Sequence, residues 1–234
     1  MSIIGCIGDI HEPFCHPMYR RFCYDTFLEH RVDRIHFTGD IVDNHAISFH
    51  ETDPQGHGAG YEARKARRGV KGWVSDFPKA TVTIGNHDEL HYRKGRAGGL
   101  PDLFLKTYRQ IWKTPRWTWD FEFVIDDILF EHGTGNSGKN AALNLAIEKR
   151  TKICIGHIHS WAGVQWHTNY KDAVFGVNVG CGIDPRAYAF AYGRTFRVRP
   201  TLACAVIKDG NPFVFRMPCG KGEKYHRSRA GKAA

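Results

Sequence analysis

Five short segments of the 234-residue chain gather residue types that bind metal ions: Gly8-Asp9-Ile10-His11, Gly39-Asp40-Ile41-Val42-Asp43, Gly85-Asn86-His87-Asp88, Glu131-His132-Gly133 and Gly156-His157-Ile158-His159. Carboxylate, amide carbonyl and imidazole, with no thiolate among them, form an oxygen and nitrogen donor set suited to Mn²⁺, Fe or Zn²⁺. Two divalent ions roughly 3.5–4 Å apart need a carboxylate that bridges them, with neutral imidazoles and a carbonyl completing each shell. Asp40 is the natural bridge. A single Asp-x-His or His-x-His is more often a surface pair than a ligand pair, but five such blocks in one chain are hard to obtain by accident.

What must position these blocks is a set of strands, because each block follows a short apolar or β-branched run. Ser2–Gly8, Arg34–Thr38, Ala80–Ile84, Phe121–Ile125, Ile128–Glu131, Lys152–Ile155, Val174–Val179 and Leu202–Ile207 read as strands. Pro17–His30, Tyr61–Trp73, Leu103–Trp112 and Lys139–Arg150 read as helices. Strand and helix alternate early and strands dominate late, which calls for an α/β core with a second sheet, layered within one domain. The carboxyl ends of strands in such a core are where separate side chains converge on a rigid base. The glycine opening four of the blocks, Gly8, Gly39, Gly85 and Gly156, lets the chain turn sharply and lets a ligand approach the backbone. Residues 44–60, with His45, His50 and His57, read as a long irregular loop.

Composition removes several classes. With 42% hydrophobic residues the chain can build a core, so it is not a disordered tail protein. No apolar stretch nears eighteen residues, and the opening run has no basic leader, so neither a membrane span nor a secretory signal is expected. Seven scattered cysteines without a Cys-x-x-Cys pair suit a reducing cytoplasm. The formal net charge of +9 favours polyanions without naming one. A domain over residues 1–218 and a basic tail over 219–234 are expected.

The ordered series Asp9-x-His11, Gly39-Asp40-x-x-Asp43, Gly85-Asn86-His87-Asp88, His132 and Gly156-His157-x-His159 resembles the calcineurin-like metallophosphoesterase superfamily. Asn178-Val179-Gly180 resembles the Asn-x-Gly strand that follows in many members, and the texture around Asp43-Asn44-His45 and 133–140 is similar to the small phage and prophage enzymes. The resemblance implies a four-layered α/β/β/α sandwich with a dinuclear metal site. It puts one ion on Asp9, His11, Asp40 and His159, and the other on Asp40, Asn86, His132 and His157. Manganese comes first among Mn, Fe, Zn and Ni. His87 would be the general acid, oriented by Asp43, while a hydroxide bridging the metals attacks phosphorus. Protein phosphatases of the superfamily place an arginine where this chain has Asn44, and the two-histidine final block is common among diesterases. The implied activity is therefore hydrolysis of a phosphodiester or small phosphate ester ahead of a phosphoprotein. A phosphomonoesterase, and a nucleic-acid-binding or assembly protein that keeps its metals structurally, are the alternatives.

Other features compete for a role. Gly133 to Asn140 nearly spells a P-loop but lacks the Ser or Thr that would hold Mg²⁺; Lys139 there is a candidate phosphate contact. His91-Tyr92-Arg93-Lys94-Gly95-Arg96 follows the Asn86 block and offers Arg93 as a second substrate contact. Arg64-Lys65-Ala66-Arg67-Arg68 is either a solvated helix face or a grip on a phosphate backbone, so nucleic acid is a candidate partner. Trp112, Trp117 and Trp119 are either a base-stacking set or local packing.

Overall fold

The computed structural model describes residues 1–49, 56–187 and 199–219. His50 and the basic tail after Cys219 lie outside the described residues.

Two sheets form. The first contains β1 (Ile4–Ile7), β2 (Arg34–Phe37), β3 (Ala80–Thr83), β4 (Trp117–Asp120), β10 (Ala203–Lys208) and β11 (Asn211–Arg216), ordered β11-β10-β1-β2-β3-β4. The second contains β5 (Glu122–Ile125), β6 (Ile128–Glu131), β7 (Lys152–Ile155), β8 (Gly163–Thr168) and β9 (Ala173–Asn178), ordered β5-β6-β7-β9-β8. The helices are α1 (Tyr19–Glu29), α2 (Ala59–Asp76), α3 (Leu90–Ala97), α4 (Tyr108–Trp112) and α5 (Ala141–Lys149). β1 through β4 run parallel, as do β6, β7 and β9.

Strand periodicity sorts the core into three layers. Ile7, Phe37 and Val82, in register across β1 to β3, pack with Phe22, Phe27, Val70 and Trp73 of α1 and α2. Their neighbours point the other way, and Cys6 joins Ile128, Phe130, Cys154, Phe175 and Val177 of the second sheet. That sheet's far face, with Ile153, Ile155 and Val174, meets Ala142, Leu145 and Ala146 of α5. Three cores separating four layers make the α/β/β/α sandwich. Phe121 alone separates β4 of the first sheet from β5 of the second, and the chain returns to the first sheet between β9 and β10.

Several elements differ from expectation. The stretch read as one helix over Leu103–Trp112 is a 3₁₀ turn at Asp102–Phe104 followed by α4, because Thr107 and Gln110 form a reciprocal capping box that starts a new helix. Leu103 and Phe104 accordingly point to solvent. Strands β4, β8 and β11 and helix α3 carry no clear pattern: β8 is a half-exposed edge, and α3 reads in sequence as a basic run. The loop expected over 44–60 opens with a 3₁₀ turn at His45–Ile47, and α2 begins at Ala59.

Between the sheets sits a buried imidazole. His36 pairs in register with Thr81, its Nδ1 2.9 Å from Thr81 Oγ1, and its ring lies 4.5 Å from that of Phe130. Burial pushes its pKa down to about 3 from an ordinary 6.5. The unfolded chain binds this proton near 6.5 and the folded chain only near 3. The unfolded state therefore holds more protons in between, and stability is lost as pH falls through that window. In His36→Phe the urea midpoint should decline less between those two pH values than in the parent; parallel declines would refute the assignment.

Candidate metal centre

All five blocks arrive at one place because parallel strands deliver their carboxyl ends to the same edge. β1, β2 and β3 lead to Asp9, Asp40 and Asn86, and β6 and β7 lead to His132 and His157, so each sheet contributes. Backbone hydrogen bonds then lace the first two loops together. The N–H of His11 donates to the Asp40 carbonyl at 2.9 Å, Glu12 N–H to Ile41 O at 3.0 Å and Asp43 N–H to Glu12 O at 3.0 Å.

The glycines serve closeness of protein groups to each other. A Cβ at Gly85 would sit 2.1 Å from Asp40 Oδ1, and one at Gly156 would sit 2.1 Å from Asp9 Oδ1. What approaches the backbone here is thus a carboxylate of a neighbouring block. Of the four glycines only Gly39 has a positive φ, 101°, and His11, Asp40 and His157 themselves are left-handed, with φ of 43°, 46° and 64°.

Among the described residues, three groups offer donor atoms within 4.8 Å of one another: Asp9, His11, Asp40 and His159; Asp40, His132 and His157; and His11, Asp43 and His87. Asp40 belongs to the first two. Its Oδ2 lies 3.2 Å from His132 Nε2 and 3.5 Å from His11 Nε2. Asn86 joins the second group, its Oδ1 3.1 Å from His132 Nε2. His159 Nε2 lies 3.0 Å from Asp9 Oδ2 and 3.2 Å from His11 Nε2.

Tautomers decide what these nitrogens offer. His132 Nδ1 lies 2.8 Å from the Thr38 carbonyl, which only accepts, so the proton sits on Nδ1. In the neutral ring Nε2 then turns a lone pair toward the Asp40 carboxylate and the Asn86 oxygen. His11 is fixed the same way, donating from Nδ1 to Asp43 Oδ1 at 2.7 Å. Lone pairs of nitrogen and oxygen that converge like this repel unless a cation lies among them. The donor set therefore fits a divalent metal.

Without a metal, a proton takes that place. Burial works against charge on His132, but the Asp40 and Asp9 carboxylates outweigh it and hold its pKa up at about 10. Burial likewise opposes ionisation of Asp40, yet His132 and His87 keep that carboxyl well below the usual range.

His87 stands at the edge of the cluster, its side chain 19% exposed. Its backbone N–H donates to Asp40 Oδ1 at 2.8 Å and its Nδ1–H to the Asp43 carbonyl at 2.6 Å. The Asp43 carboxylate is 3.6 Å from His87 and 2.7 Å from His11, so its backbone oxygen, more than its carboxylate, orients the His87 ring. Burial pulls the His87 pKa down, but Asp40 and Asp43 prevail and raise it.

Arg93 and Lys139 are both exposed. The Arg93 guanidinium lies 5.3 Å from the Phe49 ring centre, and Lys139 precedes the first turn of α5. Trp112 and Trp117 are buried, which closes their faces to base stacking, while Trp119 stacks on Tyr108.

Thr38 and Glu62 escape the motif reading, and Asn44 and Asp88, beside or within its blocks, take supporting roles that it does not give. Thr38 acts through its carbonyl, which no residue type announces. Asn44 donates from Nδ2 to the His87 carbonyl at 2.9 Å. Glu62, on the buried face of α2 with Ala66, Val70 and Trp73, accepts the Ala46 N–H at 3.1 Å and so fixes the turn after Asp43. A carboxylate on an apolar helix face is the signal that could have found it. Asp88, the last residue of the third block, is a strap: Oδ1 accepts Ile41 N–H at 3.0 Å and Val42 N–H at 3.3 Å, and Oδ2 accepts Gly85 N–H at 3.1 Å.

A model of the calcineurin-like phosphoesterase family matches residues 3–182. No curated protein sequence matches the chain. Similar solved structures include an archaeal phosphodiesterase (14% identity, TM-score 0.46, 92% of this chain and 99% of that one). They also include a Sphaerobacter thermophilus metallophosphoesterase (14%, 0.48, 92% and 88%) and Chaetomium thermophilum Vps29 (13%, 0.48, 96% and 94%). At these identities and TM-scores, none of the three bears on what this chain does.

Removing the Asp88 carboxylate leaves three buried N–H groups without an acceptor. At about 1–3 kcal/mol for each buried group left unsatisfied, Asp88→Ala should cost the metal-free protein about 3 kcal/mol or more. Asp88→Asn, which keeps one oxygen, should cost less. Urea denaturation reads both; an Ala variant as stable as the parent would refute the strap.

Proposed function

Because the chain belongs to the calcineurin-like phosphoesterase family, we propose that it is a metal-dependent hydrolase of phosphate esters, acting on a phosphodiester or small phosphorylated molecule in preference to a phosphoprotein. The observation that carries this reading is Asp40, whose carboxylate is common to two adjacent donor groups. One divalent ion would be held by Asp9, His11, Asp40 and His159, the other by Asp40, Asn86, His132 and His157, with manganese the first choice. Bound there, the ions supply positive charge to the phosphate oxygens and lower the pKa of a water.

The chain's own residues do the rest. His87 is the proton donor to the leaving oxygen: Nδ1 is engaged by the Asp43 carbonyl, which leaves Nε2 to carry the transferable proton at the open side of the cluster. Asp43 fixes the His11 tautomer, so that His11 Nε2 presents a lone pair. Asn44 supports the preference for small esters. Its amide is committed to the His87 carbonyl and its side chain is buried, so it grips the loop where a phosphate-gripping arginine stands in protein phosphatases.

The test is hydrolysis of bis-p-nitrophenyl phosphate and p-nitrophenyl phosphate by Mn²⁺-loaded protein, with metal content measured alongside. Turnover should vanish with chelator. His87→Ala should lose about 10²-fold or more in kcat while retaining its metal. Asp40→Asn should lose both metal and turnover. An active His87→Ala, or turnover indifferent to chelation, would overturn the proposal, and metal binding indifferent to Asp40→Asn would overturn the ligand assignment.

A further inference from the structure

Helix α2 has two faces. Glu62, Ala66, Val70 and Trp73 are buried. Arg64, Arg67, Arg68 and Lys71 recur at the i, i+3, i+4 and i+7 spacing that gathers side chains on one side of a helix, here the opposite one. With Lys113 they rim a groove of about 380 Å³ whose apolar wall includes Val74 and Trp112. Lys113 ends α4 in the left-handed conformation, with φ of 57°.

Two features mark this groove as built for a partner. The residues that line it include five cations and no acid, and among the described residues none of the five takes part in an ion pair. Trp112 is 3% exposed, and its indole N–H is buried without a hydrogen-bond acceptor. A row of cations raises a positive potential that a row of anions relieves.

We infer that this groove docks the backbone of a nucleic-acid duplex through its phosphates. From Arg64 to Lys71 the helix advances about 10 Å, at 1.5 Å per residue. Each strand of duplex DNA places one phosphate per about 3.4 Å of the duplex axis, so a helix laid along that axis spans the rise of about three phosphates of one strand. Single-stranded chains are held by exposed aromatic rings on which bases stack, and Trp112 offers no open face. A duplex, with its bases already stacked and its phosphates outward, suits a basic rim with a closed aromatic wall. Such contacts fix position without reading sequence.

This inference does not require the hydrolytic reading, because docking is measured without metal. Fluorescence anisotropy of the full chain with a labelled mixed-sequence DNA duplex, in EDTA and at rising KCl, should give affinity that falls steeply with salt. Arg68→Gln/Lys71→Gln should weaken binding about tenfold or more at low salt and flatten the log–log salt slope by about 2, near 0.9 for each phosphate no longer neutralised. Lys79→Gln/Lys208→Gln, with the same loss of charge at exposed sites elsewhere, should bind as the parent does. Both pairs should keep the parent's urea midpoint and its turnover of bis-p-nitrophenyl phosphate. No duplex binding by the parent, equal weakening by the two pairs, or tighter binding of the corresponding single strand would each overturn the inference.

Discussion

A carboxylate with almost no access to water governs this protein. Asp40 is 1% exposed, and an isolated charge in such a place costs several kcal/mol unless opposite charge and hydrogen bonds surround it. The chain surrounds it with imidazoles where a lysine or arginine would have served electrostatics as well. The difference is chemical. An arginine would neutralise Asp40 permanently, whereas an imidazole balances it as a cation when protonated and, once deprotonated, turns a lone pair to the same spot. The arrangement that stabilises the metal-free fold is thereby the one that can exchange a proton for a metal ion.

Everything nearby holds those lone pairs in aim. The Thr38 carbonyl and the Asp43 carboxylate set the tautomers of His132 and His11, and Asp88 ties the Gly85 turn to the Asp40 loop from behind. Two sheets are needed because neither brings enough strand ends by itself: the first supplies the carboxylates, His11 and Asn86, and the second supplies His132, His157 and His159. The inter-sheet core sets the distance between the two sets, so packing of residues such as Cys6, Phe130 and Val177 is part of the geometry of the centre.

The blocks at the strand ends were legible because each pairs a short apolar run with a turn carrying polar residues, and their joint presence in one order carries information that no single histidine does. The two sheets were legible in outline for the same reason. Residues acting through the backbone were hidden: nothing about Thr38 as a residue type reveals that its carbonyl orients His132. The 102–112 stretch misled because its apolar residues sit at helical spacing, while the Thr107–Gln110 box sets a boundary that periodicity does not register. Edge strands β8 and β11 were faint because neither keeps one face buried along its length: β8 runs from half-buried to exposed, and β11 has a single buried residue, so no regular apolar and polar alternation results. The tryptophans were ambiguous in sequence because a buried indole and an exposed stacking platform have the same composition.

The strand order has a bearing on how the molecule comes into being. β1 carries the first block to the centre, yet one of its two neighbours in the sheet is β10, with Ile4 opposite Ile207. As the nascent chain emerges, β2 can pair with β1 early, but the other edge of β1 stays open until some two hundred further residues have been synthesised. Open edges invite pairing with foreign strands, and contacts so distant in sequence form slowly. β10 also brings Cys204 and Val206 into the core packed on α1 and α2, so the free edge of β1 and the layer beneath it are completed by the same late-arriving strand.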